Sequence, residues 1–185
     1  GRHVVEMRRE GDRLNVSIRI EIAVRVFGLV AYRYEMANDE VWESGSLVSV
    51  DSRVDDDGDE KRVRVSRADG SLQVDATGFS GAAPGSSATT TYFTPDFLRR
   101  DVWISTDDGS LYEMRTEKLG RRAIETRAGS VQCDAWRAVG GSDYSVELFY
   151  DDRGEWAGVA FDAGGEPAIY VPDDMNDSLS ALWTG

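Results

Sequence analysis

The chain has 185 residues, a length that suits one domain with a sizeable apolar core. Its 34 acidic and 21 basic residues leave a formal charge of -13, which repels a phosphate backbone or an anionic membrane surface and sets nucleic acid aside as a partner. A single cysteine excludes an internal disulfide, and no apolar run approaches the length of a bilayer span.

The chain opens at Gly1 without an initiator methionine, so an amino-terminal piece is expected to precede it, a cleaved export signal being one candidate. Val4, Val5 and Met7 start a strand-like pattern. From Leu14 to Val26 every even position is apolar (Leu14, Val16, Ile18, Ile20, Ile22, Val24, Val26), while most odd positions are polar. Successive side chains of a strand point to opposite faces, so this run lays a β-branched stripe against a core. At about 3.3 Å per residue it extends for roughly 40 Å, which predicts a tall, curved sheet. The phase continues past Gly28 through Val30, Tyr32, Tyr34 and Met36. Glycine permits either a bend within one long strand or a tight reversal, and the bend is the expectation.

Asn38-Asp39 reads as a turn, followed by strands around 41–43 and 47–54. The acidic stretch 55–60 contains Asp57-Gly58, a favoured hairpin turn, and Ala68-Asp69-Gly70 repeats the device. From Gly78 to Ala88 the composition is that of a mobile loop. Thr94-Pro95-Asp96 places a capping hydroxyl, a proline and an acid where a short helix starts, over about 95–100. Afterwards turn residues at 107–109, 118–120, 128–129, 140–141, 152–154 and 163–165 punctuate short alternating runs, which implies antiparallel neighbours. Residues 177–183 read as one helical turn capped by Asp177 within a tail over 173–185. The fold class is therefore mainly β, one domain over 1–185, with a large antiparallel curved sheet, half-barrel or barrel-like meander, and one or two short helices.

The catalytic inventory is poor. His3 is the only histidine and lies near the chain end, so nucleophilic chemistry lacks an imidazole base. Gly78-Phe79-Ser80-Gly81-Ala82 fails as a nucleophile elbow at its final residue. Clustered zinc ligands are absent, and the acids at 55, 57, 59 and 60 have the wrong spacing for an EF-hand, so a solvated hairpin is the reading there. No metal, cofactor or catalytic residue is assigned. Tyr32, Tyr34, Trp42, Tyr92, Trp103, Tyr150, Trp156 and Tyr170 stand along strands, where such rings serve either as core or as the lining of a ligand cavity.

Three stretches carry a resemblance: Gly1-Arg2-His3, Val24-Arg25-Val26-Phe27 leading to Tyr32-Arg33-Tyr34-Glu35, and Glu40-Val41-Trp42 with Gly45 and Leu47. With Phe149-Tyr150-Asp151, Gly154-Glu155-Trp156-Ala157-Gly158, Phe161 and Ile169-Tyr170, the sequence resembles an uncharacterised family of exported bacterial proteins. In architecture such a family is similar to the periplasmic lipoprotein carriers, whose long antiparallel sheet curls around a hydrophobic cavity. That resemblance implies a periplasmic location.

Three readings follow. The first is a non-enzymatic binding protein that holds a lipid or other hydrophobic small molecule, with Ile18, Ile20, Ile22, Val24, Tyr32, Tyr34, Trp42, Tyr92 and Trp156 as candidate ligand-binding residues. The second is an envelope interaction or structural module with a self-filled core that meets a protein partner. The third, an enzyme using carboxylates or tyrosines, requires a cleft of perturbed acids.

Overall fold

The computed structural model describes residues 1–26, 29–127, 129–142, 144–162, 167–173 and 178–183, with backbone alone at 25, 26, 29, 30 and 167. The chain is mainly β, as the alternation predicts. Seven strands form a first antiparallel meander: β1 (Arg2–Glu10), β2 (Arg13–Val26), β3 (Leu29–Glu43), β4 (Ser46–Asp56), β5 (Asp59–Ala68), β6 (Ser71–Ala76) and β7 (Ser80–Ala83). Seven more follow: β8 (Ala88–Thr89), β9 (Val102–Ile104), β10 (Leu111–Thr126), β11 (Gly129–Gly140), β12 (Tyr144–Tyr150), β13 (Trp156–Asp162) and β14 (Pro167–Tyr170). They make a second sheet, again in chain order. One sheet curls into a half-barrel, and among the described residues the helices are two 3-10 turns, Pro95–Arg99 and Ser180–Leu182. The described chain forms two compact units, Gly1–Thr90 with Ile104–Leu111, and Thr91–Trp103 with Tyr112–Trp183.

Turn chemistry explains the hairpins of the first unit. Asp57 and Gly58 (φ 54° and 99°) and Asp69 and Gly70 (φ 50° and 79°) are both left-handed, as a two-residue turn matched to strand twist requires. Residues 27 and 28, where a bend was expected, lie outside the described residues. The strands on either side pair antiparallel, with Ile22 opposite Tyr34 and Val24 opposite Tyr32, so the run is two strands rather than one. The alternation could not reveal this, because even positions face even positions across the pair and the phase survives the reversal.

Other expectations are corrected. Asn38 and Asp39 lie within β3, and the turn falls instead at Ser44-Gly45, again with φ positive at both. The stretch 78–88 contains β7, which pairs with β6, and Gly85 accepts a hydrogen bond from the Arg67 guanidinium (2.6 Å). Residues 118–120 form a bulge inside β10 rather than a turn, with Gly120 at φ 103°. The expected helix at 95–100 is the first 3-10 turn, capped by Thr94, whose hydroxyl accepts from the Asp96 N–H (3.3 Å). Asp177, proposed as a cap, lies outside the described residues. The tail expected over 173–185 is anchored in its described part: Ser178, Leu179 and Ser180 donate to the buried Glu155 carboxylate, and the Trp183 indole donates to Asp96 (2.6 Å).

Each unit has its own core. In the first, Leu14, Val16, Ile18, Trp42, Leu47, Val50, Val63, Val65 and Leu72 are all at most 3 % exposed, every one from the same face of the sheet. In the second, Ile124, Cys133, Ala135, Phe149 and Ala157 cluster, with Val131 and Ala160 packed against them.

Candidate functional site

Register places the predicted residues in rows across the first sheet. On its inner face Val16, Glu40, Val50, Val65 and Val74 form one row, and Ile18, Asn38, Ser52 and Val63 the next. Beyond them come Ile20, Met36, Val54 and Lys61, then Ile22, Tyr34, Asp56 and Asp59, and last Val24 with Tyr32. Burial fades along this series. Ile18 is 1 % exposed, Ile20 and Ile22 are partly exposed, and Val24 is 47 % exposed. The apolar stripe thus runs on past the packed core.

At the uncovered end the β2 side is apolar and the β4–β5 side is polar. Lys61 Nζ donates to Asp56 (3.0 Å) and to Asp107 (2.9 Å), bridging two carboxylates. Tyr32 donates its hydroxyl to Asp56 (2.8 Å), and Tyr34 donates to Asp107 (3.0 Å). The electrostatics follow from these contacts. Its hydrogen bond to Asp107 holds the Lys61 ammonium firmly protonated, and the Lys61 and Tyr32 donors keep Asp56 below the usual carboxylate range. Desolvation and then Asp56 push the Tyr32 phenol up to about 12, and burial with the Asp107 charge raises Tyr34 further. Both phenols stay neutral donors at neutral pH.

Deeper in the face, the buried Glu40 carboxylate accepts from Asn38 Nδ2 (3.0 Å), Trp42 Nε1 (2.8 Å) and Thr89 Oγ1 (3.3 Å). This polar network lies inside an apolar layer, and within it the buried Asn38 Oδ1 has no hydrogen-bond partner among the described residues. Among the described residues no three His, Cys, Asp or Glu side chains are grouped to hold a metal ion. The opposite, solvent-facing side of the sheet carries a groove of about 740 Å³ bordered by Arg8, Asn15, Asp39, Asp51, Arg64 and Gln73.

The predicted set is therefore divided. Ile20, Ile22, Val24, Tyr32 and Tyr34 meet at one end of the inner face. Ile18 and Trp42 lie on the same face within packed core. Tyr92 and Trp156 belong to the second unit. There Tyr92, at a left-handed φ of 58°, hydrogen-bonds through its hydroxyl to Tyr144 (2.5 Å), and its carbonyl accepts from Tyr150 (2.8 Å). Desolvation pushes the Tyr92 phenol up to about 12. Trp156 is partly exposed at the start of β13.

Sequence reasoning passed over Lys61, Asp56 and Asp107. The first two carried a signal, since Lys61 is in phase with Val63 and Val65, and Asp56 with Val50 and Val54, so each is a charge on the inner face. Asp107 sits in a loop, outside any periodicity, and nothing local marks it.

The fold defines a class: an antiparallel β meander of two seven-stranded sheets, one curled into a half-barrel. The chain belongs to the DUF6134 family, a domain of unknown function, whose pattern matches residues 1–173. The expectation of an uncharacterised family is borne out. No curated protein matches the sequence. Among solved structures the chain is similar to a beta-barrel-like protein of the domain of unknown function DUF1849 from Brucella abortus. The TM-score is 0.61 at 9 % identity, covering 92 % of this chain and 87 % of that one. A DUF1089 family protein from Pseudomonas aeruginosa gives a TM-score of 0.42 at 16 % identity, over 85 % and 88 % of the two chains. The first likeness establishes a shared beta-barrel-like fold.

Proposed function

We propose that this protein is a non-enzymatic binding protein that holds a hydrophobic small molecule or lipid against the uncovered end of its first sheet. The observation that carries the reading is the exposure gradient along β2: the inner apolar stripe runs on from the buried Ile18 through the partly exposed Ile20 and Ile22 to Val24, which is 47 % exposed. An apolar ligand laid over that stretch, roughly 13 Å from Ile20 to Val24, completes the layer that the core begins. Tyr32 and Tyr34 border it with rings that offer both an apolar body and a hydroxyl. A periplasmic location belongs to the same proposal and rests on the family resemblance.

Non-denaturing mass spectrometry of protein purified without detergent from cells containing envelope lipids tests it. A stoichiometric adduct that extracts into organic solvent is expected. Bare protein that also takes up no added lipid overturns the reading. That outcome would favour the second reading, an envelope interaction module, which the buried core around Leu14, Val16, Ile18 and Trp42 and the groove on the opposite face suit.

A further inference from the structure

Resting on that reading, we infer that the ligand is an amphiphile with a cationic head group, its tail on Ile20, Ile22 and Val24 and its head at the cluster of Asp56, Asp59, Lys61 and Asp107. These three side chains are not fully buried, so a tail laid on them removes apolar surface of both partners from water, and a polar contact for a head group at the same end adds direction to that non-directional attraction.

Register supplies one within reach. Tyr34 stands opposite Ile22 on one side and opposite Asp56 on the other, and Asp59 stands opposite Asp56, so apolar and charged side chains share one face two strands apart. Neighbouring strands lie about 4.8 Å apart, which puts roughly 10 Å between the tail and head positions.

The sign of the head group follows from the charge balance. Asp56, Asp59 and Asp107 place three carboxylates against one ammonium on this face. The Lys61 ammonium already donates to two of them at 3.0 and 2.9 Å and is matched there. Both tyrosine hydroxyls likewise point their protons at Asp56 and Asp107. What remains is acceptor capacity and net negative charge. A carboxylate or phosphate head meets repulsion, whereas an ammonium or guanidinium head adds charge-assisted hydrogen bonds. Lys61, Asp56 and Asp107 are partly exposed and Asp59 is exposed, so solvent moderates the effect and salt weakens it.

Three amphiphiles of equal chain length, dodecylammonium, dodecyl maltoside and dodecanoate, titrated below their micelle concentrations at pH 7 and low salt, test the inference by calorimetry. Dodecylammonium is expected to bind about tenfold or more tighter than dodecanoate, with the margin shrinking at high salt. The margin is also expected to shrink in Asp107→Asn. The exposed Asp59→Asn should act in the same direction and keeps the test available if Asp107→Asn fails to fold. Equal binding of all three, or tighter binding of dodecanoate, overturns the cationic head group while leaving the binding-protein reading in place. Failure of all three to bind overturns both.

Discussion

His3 projects from β1 onto the inner face opposite Ile20, and burial holds its imidazole down at about 4. An unfolded chain protonates the same ring near 6.5, so between pH 6.5 and 4 the unfolded state binds the proton that the folded state refuses. The contribution of His3 to stability is thus undiminished above about pH 6.5 and is lost progressively as the pH falls to about 4, by about 3 kcal/mol at most. Urea midpoints at pH 7 and pH 4.5 check this. The acid loss should be smaller in His3→Phe than in the parent chain, and an equal loss in both would remove His3 as a cause. Phase alone could have marked this residue, since it alternates with Val5 and Met7, yet its place near the chain end disguised it. Glu40 shows the opposite difficulty. It lies in phase with Met36 and Trp42, but reading Asn38-Asp39 as a turn broke the strand just before it.

The element that decides the candidate site is β2, because one uninterrupted stripe serves two purposes along its length. Its first half is core: Ile18→Ala should cost about 2–5 kcal/mol, the range for truncating a fully buried aliphatic side chain. Toward its far end Val24 is exposed: Val24→Ala should change stability by about 0.5 kcal/mol or less, as exposed substitutions do. Chemical unfolding of the two variants, together with ligand titration, separates the purposes. Val24→Ala should weaken ligand binding more than it weakens folding, and comparable folding losses at the two positions would show that the stripe is core throughout. Nothing in the sequence divides it, since Ile18, Ile20, Ile22 and Val24 are equivalent by type and spacing. Coverage from other parts of the chain sets the division, and hydrophobic free energy depends on the area removed from water rather than on identity.

Across the whole molecule, the first compact unit takes Ile104–Leu111 from between the two segments of the second, so neither unit is a continuous stretch of sequence. Two units interleaved in this way are expected to unfold together, consistent with the proposal of a single domain over 1–185. Scanning calorimetry should give one transition whose calorimetric and van't Hoff enthalpies agree, and two resolved transitions would show independent folding. Much of the architecture was legible from the residues alone. The alternation from Leu14 to Val26, the Asp57-Gly58 and Asp69-Gly70 turns and the Thr94-Pro95 cap are local instructions, readable because a pleat has period two and because few residues accept a positive φ. The sequence by itself thus determined strands, hairpins and the face each side chain takes. Tertiary structure alone decided that β2 and β3 reverse, where the core stops covering the apolar stripe, and that Asp107 reaches Lys61 and Tyr34 from 46 and 73 positions away. Burial and charge pairing depend on what is brought opposite a residue, and that is a non-local property which neither periodicity nor turn chemistry encodes.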